Sequence, residues 1–137
     1  MSQQRDLLEP FSEKVVKKVD KGFGPIDYVS WTDKIQRLLM VLGGFDWDVS
    51  DPFLSGEEKE PVGIRGTLKV TIDDIPRSVS GLGSGRDVKK AETDAFSRCC
   101  AKIGLGLHLW TQGGDKDGGY WLPSVLDREE PKEVTDD

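Results

Sequence analysis

The chain has 137 residues, the usual length for one domain, and its 36% hydrophobic content supports a single modest core rather than two. A formal net charge of −6 excludes a uniformly basic surface, the common signature of phosphate binding, because that affinity comes mainly from Lys and Arg releasing condensed counterions. No apolar run approaches the roughly 18 residues of a membrane span, and the opening MSQQRDLLEP lacks the charged-then-apolar layout of a signal peptide, so no membrane partner and a cytoplasmic location are expected.

The acidity is uneven. Residues 115–137 carry eight acidic and three basic side chains, while the preceding 114 residues hold 17 acidic and 16 basic ones. The body is almost neutral, so any positive surface has to be local. The division expected is a domain over 1–126 and an acidic, disordered tail over 127–137 that limits non-specific binding or recruits a protein partner.

From Arg5 to Lys21 the residues Leu7, Leu8, Phe11, Val15 and Val19 recur at three- and four-residue steps, which predicts a first helix, delayed or kinked by Pro10. Gly22 to Pro25 is punctuation, and Ile26 to Val29 reads as a short strand. Ser30 with Asp33 forms an N-terminal capping arrangement for a second helix. Its apolar stripe is Ile35, Leu38, Leu39 and Leu42, and Gly43-Gly44 stops it. Lys34 and Arg37 share one side of this helix away from the stripe, where they would form a wet face.

Phe45 to Val49 alternates apolar and acidic residues, as a half-buried strand does, and Ser50 to Pro61 is a charged loop rich in breakers. Asp46 and Asp48 fall on one side of that strand, where they would either approach a divalent ion or, as is commoner, face solvent. From Val62 the alternation is regular. Val62, Ile64, Leu68, Val70 and Ile72 take even positions and Arg65, Thr67, Lys69 and Thr71 odd ones, giving one oily and one cationic, hydroxylated face. Asp73-Asp74 begins a turn, Pro76 to Leu82 returns as a partner strand, and Gly81 to Gly85 closes it.

That glycine run, with Arg86 and the start of a helix behind it, resembles a phosphate-cradling loop, although it matches neither the Walker pattern nor the dinucleotide fingerprint. With Arg86, Lys89 and Lys90 it is a candidate for one backbone phosphate. Asp87 to Ile103 predicts a third helix whose apolar side is Val88, Ala91, Ala95, Phe96, Cys99 and Ile103. Arg98 and Lys102 lie together on one flank near Asp94. They would either line a groove or, in the plainer reading, form an ion pair at the i, i+4 spacing.

Little here suggests catalysis. The only histidine, His108, sits in an apolar context, no Cys/His metal spacing exists, and a meeting of His108 with Cys100 is less common than a structural histidine. Adjacent Cys99 and Cys100 would point about 100° apart on a helix, which disfavours a mutual disulfide and fits thiols in a reducing compartment. The expectation is a non-enzyme without metal or other cofactor.

The linear order resembles a family. Tyr28-Val29-Ser30-Trp31, an amphipathic helix, Gly44-Phe45-Asp46-Trp47, a strand hairpin, a Gly-rich turn and the helix Lys90 to Gly104 with Ala91-Glu92-Thr93-Asp94 and Arg98 look like the annealing domain of the Rad-fifty-two superfamily of recombination mediators, which includes phage single-strand annealing proteins. The likeness covers roughly residues 5–122, with Asp115-Lys116-Asp117 and Tyr120 similar to the segment after that helix.

The resemblance implies an α+β fold with a β-β-β-α core, an antiparallel sheet packed on a long helix and N-terminal helices before it. It further implies rings or open spirals, and ATP-independent binding of single-stranded DNA and annealing of complementary strands in homologous recombination or repair. The setting it implies is the nucleoid of a prokaryotic host.

Arg98 matches a family DNA-contacting arginine, and Lys34 lies within one position of another basic contact. Ser97 and Ala101 stand where the family often has further basic residues, with Lys102 shifted by one. The DNA-binding candidates are therefore Lys34, Arg37, Arg65, Lys69, Arg86, Lys89, Lys90, Arg98 and Lys102.

Two other readings use the same residues. Gly83 to Glu92 also resembles the lysine-bearing helix start of a double-stranded-RNA-binding domain, which the extra helix from Asp33 to Leu42 fits poorly. An acidic interaction module docking through Trp31, Trp47, Trp110 or Trp121 is the third.

Overall fold

A computed structural model describes residues 2–20 and 25–110. Its elements are α1 (Gln3–Leu8), β1 (Lys17–Asp20), β2 (Pro25–Tyr28), α2 (Trp31–Leu42), β3 (Asp46–Val49), β4 (Phe53–Leu54), β5 (Val62–Ile72), β6 (Ile75–Gly85), α3 (Val88–Lys102) and a final 3-10 turn, Leu107–Trp110. The expected α+β class and β-β-β-α unit are both present. β5 is the central strand, flanked on one side by β6 and on the other by β3 and then β4, all antiparallel, and α3 packs across β5 and β6.

The alternation in β5 decides which face α3 covers. Ile64, Leu68, Val70 and Ile72 are buried, while Arg65, Lys69 and Thr71 are exposed on the opposite face. Leu68, Val70 and Ile72 meet Phe96, Cys99, Cys100 and Ile103 of α3 together with Leu7, Leu38 and Leu105 in the main core. Cys99 and Cys100 are both buried, unbridged thiols.

The hairpin turns tightly at Asp73 (φ 51°) and Asp74 (φ 68°), both left-handed as a type I′ turn requires. Helix α2 has the expected ends. The Ser30 side chain accepts from the Asp33 N–H, and Gly43 closes the helix at φ 83°.

Three expectations need correction. The first helix is confined to Gln3–Leu8, and Lys17–Asp20 is a strand paired with Pro25–Tyr28, so the helical spacing of Val15 and Val19 is coincidental. Pro10 is the physical break, since it removes an N–H and restricts Glu9 to extended backbone, here ψ 128°. The loop of Ser50 to Pro61 contains β4, which continues the edge begun by β3 along β5.

The third correction concerns Gly81 to Gly85, which is strand and not a loop: all five residues pair with Val62 to Gly66. Its glycines serve packing. A Cβ on Gly83 would stand 2.3 Å from the Ala91 carbonyl oxygen and the Ala95 nitrogen, and one on Gly85 would stand 2.6 Å from the Ala91 nitrogen. Missing side chains are what let α3 lie directly on β6.

The candidate tail, the segment around Asp115 to Tyr120, and Trp121 lie outside the described residues.

Candidate nucleic-acid interface

Helix α3 presents its polar residues along two flanks. Asp94, Arg98 and Lys102 fall at successive four-residue steps and so form one row. Asp94 Oδ2 accepts from the Ser84 N–H at 3.0 Å and from Arg98 Nε at 3.1 Å. Lys102 Nζ donates to the Ser80 carbonyl. Ser84 and Ser80 both belong to β6, whose only described strand neighbour is β5, so the row satisfies backbone groups along that strand and covers an edge that would otherwise invite another strand. The ion pair foreseen between Asp94 and Arg98 therefore exists, and Asp94 does more than pair: it fixes Arg98 relative to the sheet.

On the other flank Ser97 Oγ accepts from Lys34 Nζ at 3.1 Å. Lys34 is only 4% exposed. Its expected wet face is corrected: α2 lies against α3 here, and the stem of Lys34 runs into that junction beside Gly106. Burial draws the amine pKa below its ordinary value, opposed by the fields of Cys100 and Asp94.

Arg37 also leaves its expected solvent role. Its Nη1 donates to the carbonyls of Asp6 (3.2 Å) and Glu9 (2.8 Å), at the C-terminal end of α1, and its guanidinium lies 4.3 Å above the Phe11 ring. Desolvation lowers its pKa, against the fields of Glu9 and Asp6. Both α2 cations thus act inside this chain.

The remaining candidates divide by location. Arg86, Lys89 and Lys90 are exposed around the start of α3, where the Asp87 side chain caps the helix by accepting from the Lys90 N–H at 2.9 Å. The Ser84 N–H is taken by Asp94, so the glycine run offers no phosphate cradle; what remains there is side-chain charge.

Arg65 and Lys69 point away from α3; on β3, Asp46 stands opposite Lys69 and Asp48 opposite Thr67, the residue between them on that face. The structure does not bring Arg65 and Lys69 onto the same face as Arg98 and Lys102. Lys69 instead borders a cleft of about 510 Å³ with Asp46, Thr71, Arg77 and Ser78. The alternation that separates the faces of β5 is weak in β6, so the pattern of β6 does not single out Arg77.

Aromatic rings fill the space between α2, α3 and β3. Phe96, fully buried, is approached edge-to-face by Trp47 (5.0 Å, 87°) and Trp31 (6.1 Å, 87°), and at a tilt by Phe45 (6.1 Å). Trp47 Nε1 donates to Glu92 Oε2 at 2.9 Å, and its ring occupies the space that a side chain at Gly66 would need. Trp31 keeps 40% of its surface exposed.

The chemistry of the thiols runs against nucleophilic use. Desolvation pushes Cys100 up to about 12, although Lys34 pulls the other way, and a thiolate is the reactive form. Among the described residues no group of three or more His, Cys, Asp or Glu side chains is placed to hold a metal ion, and no helix is long and apolar enough to cross a membrane.

No protein-family model matches the chain. It is similar to the DNA repair RAD52-like protein 1, mitochondrial, of Arabidopsis thaliana, at 32% identity over 116 residues. The match takes in 77% of this chain and 64% of that protein, so the chain spans less than two thirds of the relative's length.

Proposed function

We propose that this chain is an annealing module of the RAD52-like kind, which binds single-stranded DNA and pairs complementary strands without ATP during recombination or repair. The observation that carries this reading is the Asp94–Arg98–Lys102 row, with Arg98 held on Asp94 beside β6, in a β-β-β-α unit whose sequence is similar to a named DNA repair protein.

DNA contacts fall to Arg98 and Lys102, extended by Arg86, Lys89 and Lys90 at the start of the same helix. Lys34 and Arg37 support the fold behind them. Cations that meet phosphates while bases stay exposed bind without reading sequence, and pairing then needs no bond chemistry. A chain of net charge −6 offers few such cations, so several copies in a ring or open spiral supply the continuous track that one copy lacks. The acidic tail keeps that track selective or engages a protein partner.

The test is to mix the purified chain with complementary oligonucleotides, without nucleotide cofactor, and follow duplex formation across a salt series. Accelerated, salt-sensitive annealing together with a multimeric native mass is the expected result. Preference for duplex RNA would favour a double-stranded-RNA-binding reading, and absence of all nucleic-acid binding at low salt would overturn both.

A further inference from the structure

We infer that Trp31 is a stacking platform for an unpaired base of single-stranded DNA, an assignment that rests on the DNA-binding reading above. Three of the rings at the α2–α3–β3 junction are committed to the interior. Phe96 is fully buried, Phe45 leans on it, and Trp47 is half-buried with its N–H on Glu92 and its ring against Gly66. Trp31 differs. It has one described ring neighbour, Phe96, and 40% of its surface open.

Its contact with Phe96 is perpendicular, at 87° and 6.1 Å, so a buried ring sets the indole orientation while covering only part of it. An indole held rigidly at the surface loses little side-chain entropy when a flat ligand stacks on it, which is the economy of aromatic platforms in single-strand binders. Placement adds to this. Trp31 opens α2, three residues before Lys34, and Lys34 Nζ reaches Ser97, the neighbour of Arg98. The indole therefore lies against the α2-facing flank of α3, and the proposed phosphate contact lies on the other flank of the same helix, so a base can stack while its backbone crosses α3.

The test compares wild type, Trp31→Leu and Trp31→Phe, as full-length chains, on single-stranded oligothymidylate and on an abasic oligonucleotide of equal length and phosphate count. Trp31→Leu is expected to weaken oligothymidylate binding roughly 5- to 150-fold, to leave abasic binding unchanged, and to be largely rescued in Trp31→Phe. In the wild type, photo-crosslinking of a 5-bromouracil oligonucleotide is expected to mark the peptide containing Trp31, a readout that needs no variant to fold. Equal loss on both oligonucleotides, or no loss on either with no crosslink at Trp31, overturns the platform while DNA binding stands. A wild type that binds neither oligonucleotide overturns the DNA-binding reading itself.

Discussion

Lys34 Nζ reaches across the α2–α3 junction to Ser97 Oγ at 3.1 Å, from a residue only 4% exposed. A hydroxyl is a weak partner for a buried ammonium, because it contributes no countercharge to offset the lost hydration. Asp94 acts on this amine only through its field, having given Oδ2 to Ser84 and Arg98. The two flanks of α3 thus share one carboxylate between a buried cation and an exposed one.

Lys34 should make stability depend on alkaline pH. Its amine titrates below the ordinary 10.5 in the folded chain, so between those values the unfolded chain holds more protons and stability rises with pH. Cys100 has the opposite sign: pushed from 9.0 up to about 12, it makes stability fall as pH rises between them. Comparing wild type with Lys34→Met by thermal melts across pH isolates the lysine. The variant should lose the rising component and stay within about 1.5 kcal/mol of wild type at neutral pH, or exceed it.

Asp73 should govern acid sensitivity at the other end of the molecule. Its carboxylate accepts from the Gln3 N–H (2.7 Å), the Gln4 N–H (3.2 Å) and Ser2 Oγ (3.1 Å), tying α1 to the hairpin turn. The bond from Gln3 leads in holding its pKa below the usual 3.8. Stability from this group is therefore present above that value and is lost as pH falls through the folded pKa. Asp73→Asn should flatten that acid limb and speed amide hydrogen exchange in Gln3 to Leu8.

Gly83 and Gly44 make a matched pair. A Cβ on Gly83 meets backbone atoms of α3 at 2.3 Å, whereas one on Gly44 meets nothing within 4 Å. Gly83→Ala should destabilise by about 1–3 kcal/mol or more, since a helix backbone has to shift. Gly44→Ala should fall within about 0.5 kcal/mol of wild type. Urea unfolding reads both.

Phe96 should be the most costly aromatic to lose. It is fully buried and touches Trp31, Phe45 and Trp47, so Phe96→Ala should cost about 3–5 kcal/mol and collapse the near-ultraviolet circular dichroism of the two tryptophans.

Arg98→Ala separates binding from folding. Arg98 is exposed, so its loss should change stability by no more than about 1 kcal/mol, as thermal melts would show. Affinity for single-stranded DNA should fall by a similar factor for every sequence, with a shallower dependence on salt, as fluorescence anisotropy would show.

Much of this protein is legible from local pattern. Alternation along Val62 to Ile72 identifies the central strand and its covered face, because successive strand side chains point to opposite sides. Ser30 and Gly43 mark both ends of α2, because unpaired backbone groups and left-handed geometry have few residue solutions. The polar flank of α3 follows from helical spacing alone. By the same local rules Val15 and Val19 read as helix, and only the pairing of Lys17–Asp20 with Pro25–Tyr28 overrides that reading.

Two decisions belong to the tertiary structure. Lys34 and Arg37 occupy a polar side of α2 by periodicity, yet contact with α3 buries one and contact with α1 and Phe11 occupies the other. Gly81 to Gly85 has the composition of a loop, yet pairing with β5 makes it strand and the approach of α3 requires its missing side chains. Periodicity reports where a side chain points on its own element. Whether water or another element waits there is set by contacts between residues distant in the chain, and the spacing of neighbours carries no record of them.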